Sequence, residues 1–287
     1  MMLGPGILVR TISKPKDPDK KFGNRWQYNP RSDRHSKAAC WSILFDLLCH
    51  SARLRDQAAQ GKVVFGINHE MRDFQTGRKK DLDLVVCTPG TRPEGWKPKA
   101  GTFRKLAKRY SMDLTDEDVG QLAGLPEVRE DVVGEVHIAL EAKACMTEHL
   151  KALPRLYDEL SSSHLTIHGN SPYAIAAGFV MVNVSDRFIS PDRNKWALAD
   201  HVAEVSSHDQ PRVTKRVVEK VTEIQRRSST AEVGFDAIGL VLVACVNDGS
   251  AVEIVTDSPA PQPGHLLHYD AMIRRIAKLY ESRFPHE

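Results

Sequence analysis

The chain has 287 residues, 41 % of them hydrophobic and 27 % charged, with a formal net charge of +3 at pH 7. That length suits one large domain or two modest ones, the composition is ordinary for a globular protein, and so mild a charge neither requires nor excludes nucleic acid. No run reaches the roughly 18 apolar residues of a membrane span, the first residues lack the apolar core of a signal peptide, and five cysteines without metal-type spacing (Cys40, Cys49, Cys87, Cys145, Cys245) read as buried free thiols, so a cytoplasmic protein without a membrane partner is expected.

Residues 1–34 are rich in Pro, Gly, Lys and Arg and show no helical period, which predicts an extended basic arm. Trp26 and Tyr28 are its packing residues; Arg25, Arg31 and Arg34 either solvate it or touch nucleic-acid backbone. From Ser36 to about Gln60, Cys40, Ile43, Leu44, Leu47 and Leu48 form a helical stripe, with Asp33 or Ser36 as cap and Gly61 as terminator. Residues 62–68 read as a strand. A turn with Gly77 and the basic trio Arg78, Lys79 and Lys80 leads into a second strand, in which Leu82, Leu84 and Val86 face the core and Asp81 and Asp83 the other side.

Residues 88–130 open with six Pro and Gly residues and read as an insertion. Its basic residues, Arg92, Lys97, Lys99, Arg104, Lys105, Lys108 and Arg109, are interleaved with Trp96 and Phe103, a pattern that either solvates a loop or grips DNA. Thr115 followed by Asp116, Glu117 and Asp118 predicts a helix start. The strand over 132–144 then places Val132, Gly134, Val136, Ile138, Leu140 and Ala142 on one apolar face, and Glu135, His137, Ala139, Glu141 and Lys143 on the other. Helices are predicted over 146–160 (interrupted by Pro154), 195–207, 213–227 and 268–283. Strands are predicted over 174–184, apolar on both faces like a central buried strand, 235–246 and 251–255.

If the 80–86 and 132–144 strands are neighbours, Asp83, Glu141 and Lys143 converge. Hard divalent cations take carboxylate, carbonyl, phosphate and water oxygens, and a neighbouring ammonium offsets charge developing on phosphate. No Walker loop, Gly-x-Ser-x-Gly elbow or His-Glu-x-x-His is present, which disfavours an NTPase, a serine hydrolase or that type of zinc enzyme.

At these residues, Asp83 in Asp-Leu-Asp-Leu-Val-Val and Glu141-Ala142-Lys143, the chain resembles the PD-(D/E)xK, or restriction-endonuclease-like, nucleases. The resemblance covers roughly residues 36–184. It implies an α/β fold with a mixed central sheet flanked by helices: a restriction-endonuclease-like core over 35–184 carrying the insertion, and a C-terminal α/β extension over 185–287. It also implies Mg²⁺, with Mn²⁺ as substitute, held by Asp83, Glu141 and the Ala142 carbonyl, with Lys143 orienting the attacking water. Glu70, Asp81 and His137 are additional candidates, and Asp131 is the fallback acid, because 58 positions (141 − 83) separate Asp83 from Glu141. Arg78, Lys79, Lys80, Arg104, Lys105, Lys108 and Arg109 are the expected contacts to double-stranded DNA. The implied activity is endonucleolytic, of restriction or phage-defence type, in a homodimer if both strands are cut. A repair or junction-resolving nuclease and a non-catalytic DNA-binding scaffold are the alternatives.

Overall fold

Three strands form the middle of a six-stranded sheet: β3 (Val133–Cys145), apolar on one face, and β4 (Ile175–Asn183) and β7 (Ala237–Ala244), apolar throughout, paired parallel. The computed structural model describes residues 2–15, 17–95 and 101–284. On one side the sheet continues antiparallel through β2 (Lys79–Pro89) to β1 (Val64–Arg72), and on the other through β8 (Glu253–Val255), giving the order β1-β2-β3-β4-β7-β8. A separate two-stranded sheet joins β5 (Arg187–Ile189) to β6 (Val205–Ser207). The protein is therefore an α/β fold with a mixed central sheet, as the sequence predicts. β7 sits inside the sheet beside β4, so the segment after residue 185 completes the core.

Helices cover both faces. Among them α1 (Gly4–Ser13), α2 (Arg34–His50) and α8 (Tyr269–Arg283) pack on one face, and α6 (His149–Asn170) and α7 (Arg212–Thr222) on the other. β4 is buried along its whole length between these layers, which explains why its sequence shows no alternation.

Three predicted elements differ. Residues 4–13 are helical, not part of an extended arm, with Ile7, Leu8 and Ile12 in the core. The helix is capped from a distance: Asp46 on α2 accepts the Leu3 and Gly4 N–H groups at 3.0 and 2.9 Å. The single helix expected over 36–60 is two, α2 and α3 (Ala52–Ala59), because Ser51 turns extended and its hydroxyl caps the second by accepting from Leu54 N–H. The helix expected over 195–207 is replaced by turns and β6, with Asn194 accepting from the Glu204 N–H and donating to the Glu204 carbonyl.

The 88–130 insertion is part of the core. Its α4 (Phe103–Arg109) stacks Phe103 on Trp41 of α2 at 4.7 Å, and α5 (Asp116–Gly124) opens with the expected capping box at Thr115. The expected residues Trp96, Lys97 and Lys99 lie outside the described residues. All five cysteines are free, four of them buried.

Burial also sets an acid limit on stability. Desolvation pushes His137 and His164 down to about 4, so both stay neutral in the fold well below the ordinary histidine range. The unfolded chain binds their protons first. Stability is thus full above about pH 6.5 and lost as pH falls towards 4, by up to about 1.4 kcal/mol per pH unit for each histidine. Urea midpoints across that range test this; a flat profile between pH 6.5 and 4.5 would contradict it.

Candidate active site

Pairing of β2 with β3 runs to Leu84↔Leu140, so the next step sets Asp83 beside Glu141. There the carboxylate replaces the ladder: Asp83 Oδ2 accepts the Ala142 N–H at 2.9 Å. The same point is a dislocation in β2. Leu84 and Val86 face the α2 layer, whereas Leu82 joins Val85 and Cys87 on the α6 side. Strict alternation would put Leu82 with Leu84, so the chain slips one face at Asp83. Across the β1–β2 register, Ile67↔Leu84 and His69↔Leu82 bracket Asn68, whose φ of 48° is left-handed, a conformation that Asn tolerates better than most residues.

The slip separates residues that alternation groups together. Lys80 points to α6, where it donates to the Glu159 carbonyl at 2.5 Å and to Ser162 Oγ at 3.1 Å, and its ammonium lies 3.7 Å from Glu141. Asp81 is exposed, and Glu70 pairs with Lys79 on the surface of the hairpin at 2.7 Å. Neither Asp81 nor Glu70 joins the Asp83–Glu141 cluster.

A second irregularity moves His137. The β2–β3 register shifts between Val86↔Ile138 and Cys87↔Val136, leaving His137 as the extra residue of a bulge. Its ring stacks on Phe284 at 4.0 Å, and Nδ1 lies 3.1 Å from the Tyr280 hydroxyl, on the α8 side. It does not share the face of Glu141, which looks towards α6. Asp131, the fallback acid, is bound to Arg92 at 2.6 Å and caps the Val132 N–H, away from this cluster.

Glu141 is 2 % exposed. Its Oε1 lies 2.7 Å from Lys143 Nζ, while Oε2 is buried without a hydrogen-bond partner among the described residues. Burial raises the Glu141 carboxyl above its ordinary range, with Lys143 and Lys80 opposing and Asp83 reinforcing the shift. Burial works to lower Lys143 as well, but Glu141 and Glu159 outweigh it and hold the ammonium protonated. Two participants have no sequence motif. Glu159 of α6 binds Lys143 at 3.0 Å and is itself held by Arg155 at 2.6 Å. Lys37 of α2 is buried, donates to Asn68 and lies 3.8 Å from Asp83. The only sequence signal for Lys37 is a lysine amid an otherwise buried helix face; Glu159 has an ordinary i,i+4 partner.

Three carboxylates, Asp83, Glu141 and Glu159, thus meet three ammonium groups, Lys37, Lys80 and Lys143. A cleft of about 530 Å³ reaches Asp83, Ala142, Lys143 and Glu159, and His35, lowered to about 4 chiefly by burial, also lines it. For a metal, the available donors are oxygens: Asp83, the unpartnered Glu141 Oε2 and the Ala142 carbonyl. Among the described residues no group of three His, Cys, Asp or Glu is placed to hold an ion. Oxygen donors of this kind are the type that hard divalent cations take, the rest of their shell being water and phosphate.

The expected DNA contacts divide. Arg78, Lys105, Lys108 and Arg109 are exposed. Arg104 instead donates to the Leu122, Ala123 and Leu125 carbonyls and pairs with Glu127, closing the insertion on itself. Lys79 is engaged by Glu70, and Lys80 belongs to the carboxylate cluster. Arg34 donates to the Thr11 and Lys14 carbonyls at 2.6 Å each, so it fixes α1 to α2. Among the described residues no helix is long and apolar enough to cross a membrane. The chain matches no family model, no curated protein and no solved structure.

Proposed function

We propose that the chain is a metal-dependent nuclease that hydrolyses phosphodiester bonds of DNA at Asp83, Glu141 and Lys143. The observation that carries this reading is the meeting of Asp83 and Glu141 across β2 and β3, with Lys143 2.7 Å from Glu141 and one Glu141 oxygen buried without a partner. An unsatisfied buried carboxylate oxygen costs about 1–3 kcal/mol or more, and a cation relieves that cost.

Asp83, Glu141 and the Ala142 carbonyl would hold Mg²⁺. When bound, the ion supplies Lewis-acid polarisation of the phosphoryl oxygen and eases deprotonation of water. Lys143, half-buried and fixed between two carboxylates, presents its ammonium to the cleft, where it offsets negative charge developing on phosphate. Exposed basic side chains, among them Lys105 and Lys108, hold the backbone in a salt-dependent way. Restriction or phage defence is the biological role we favour. Cutting both strands would take two copies of the site, hence a homodimer.

Mg²⁺-dependent cleavage of plasmid DNA by wild type, set against Lys143→Ala and Asp83→Ala, tests the reading. A second reading, a DNA-binding scaffold that keeps the fold, is favoured by the charge balance: three ammonium groups already neutralise the three carboxylates. Tight, salt-sensitive DNA binding with no hydrolysis under Mg²⁺ or Mn²⁺ would establish it.

Glu159 acts through Lys143. Glu159→Gln removes one of the ammonium's two charged acceptors, an interaction worth about 1.5–3 kcal/mol. We expect kcat to fall about tenfold or more with KM nearly unchanged; an unaltered kcat would show that Glu141 alone positions Lys143.

A further inference from the structure

Asp83, Lys143 and Glu159 line a cleft, and Glu141 is buried beside Lys143: Glu141 is 2 % exposed, the Asp83 side chain 17 % and that of Lys143 26 %. One wall is the first half of α6, with Arg155 and Glu159. The facing wall comes from two segments far apart in the chain, residues 24–31 and the stretch after β5. Tyr28 and Pro30 of the first, and Ser190, Asp192 and Arg193 of the second, line the cleft.

These two segments are fastened together. Asn247, buried beyond β7, donates to the Tyr28 carbonyl at 3.0 Å and the Ile189 carbonyl at 2.8 Å. Asn24 donates to the Trp196 carbonyl at 2.7 Å and accepts from the Leu198 N–H at 2.9 Å. At the surface, Arg31 and Asp192 close the join with an ion pair of 2.8 Å. The wall is therefore tied by buried side-chain-to-main-chain bonds to the end of the central sheet.

A cleft of about 530 Å³ has the size of a small-molecule pocket, for which about 300–1,000 Å³ is usual. It has room for one or two nucleotides. Duplex DNA, with a persistence length of about 50 nm, bends into so recessed a site only at a cost that an unpaired strand does not meet. Enzymes that must bring one nucleotide into an enclosed pocket act on a single strand or flip that nucleotide out of the helix. Building on the nuclease reading, we propose that the site engages one polynucleotide strand at a time and prefers an unpaired strand, because the wall formed by residues 24–31 and 189–198 hinders seating of an intact duplex.

The test compares Mg²⁺-dependent cleavage of one end-labelled sequence as a single strand, as a blunt duplex and as a duplex with an unpaired tail. Hydrolysis of thymidine 5′-p-nitrophenyl phosphate, wild type against Lys143→Ala, is measured alongside. We expect the single strand and the tail to be cut about tenfold or more faster than the blunt duplex, a difference of about 1.4 kcal/mol in barrier. Asp192→Ala combined with Arg193→Ala, which trims two side chains that line this wall, should narrow that gap. Equal or faster cutting of the blunt duplex overturns the strand preference and leaves the nuclease reading intact, and an unchanged gap in the double variant overturns its assignment to this wall. Lys143-dependent hydrolysis of the small diester without cleavage of any oligonucleotide overturns the polynucleotide substrate but not the chemistry of the site. No hydrolysis of any substrate removes both readings.

Discussion

Replacing Lys143 by Ala is expected to lower Mg²⁺-dependent cleavage about 10²–10³-fold, the usual loss when a charge-stabilising donor is removed from a preorganised site. The side chain is held on two sides, by Glu141 at 2.7 Å and Glu159 at 3.0 Å, so no neighbour can shift to take its place without breaking one of these pairs. Lys80 is the nearest substitute, but its ammonium already donates to the Glu159 carbonyl and Ser162. Asp83→Ala should be at least as severe, because it deletes one of two carboxylates and frees the Ala142 N–H that the Asp83 side chain accepts. Plasmid nicking and linearisation read out both changes, with thermal unfolding to verify that each variant is folded. Cleavage at wild-type rate by both variants would place the chemistry elsewhere.

The largest stability loss is expected at Asp236. It is fully buried and receives Arg227 Nε at 3.0 Å, Arg283 Nη2 at 2.5 Å and the Ala176 N–H at 2.8 Å. Arg227 is only 1 % exposed at its side chain and spends its other donors on the Pro172 and Ala174 carbonyls. One carboxylate thus joins the start of β4, the turn before β7 and the end of α8. Removing it strands a buried guanidinium, which typically costs about 3–5 kcal/mol. Asp236→Ala should lower the urea midpoint accordingly at unchanged slope, and Asp236→Asn less, since an amide oxygen still accepts from Ala176. A shift under about 1 kcal/mol would mean that water reaches Arg227. Burial alone would raise this carboxyl, yet the two arginines hold it below its usual range. Its contribution is therefore full above the unfolded pKa near 4 and disappears as pH falls through the lower folded value, below the window set by His137 and His164.

Local pattern carried much of this fold. The β4 run is apolar on both faces because it lies between two helical layers. The stripe of Cys40, Ile43, Leu44, Leu47 and Leu48 located α2, although the helix is buried on every side from Ser36 to Leu48. The capping box at Thr115 names its own helix start. Asp83, Glu141 and Lys143 were legible as residues that interrupt or back an apolar strand face, and their order along the chain pointed to one another.

What the sequence by itself determined is the set of segments able to bury a face and the acids and lysines that stand on them, because side-chain periodicity is a property of each segment alone. What only the tertiary structure decided lies wherever a partner distant in the chain alters that period. Asp46 caps α1 from another helix, so a helix replaces the expected arm. A bulge turns His137 to Tyr280, and the slip of β2 at Asp83 leaves Asp81 exposed outside the cluster. Lys37 and Glu159 reach the carboxylates only because α2 and α6 pack on opposite faces of the same two strands. Strand pairing and helix docking fix these contacts through hydrogen bonds between residues 31 to 143 positions apart, and no window of neighbouring residues contains them.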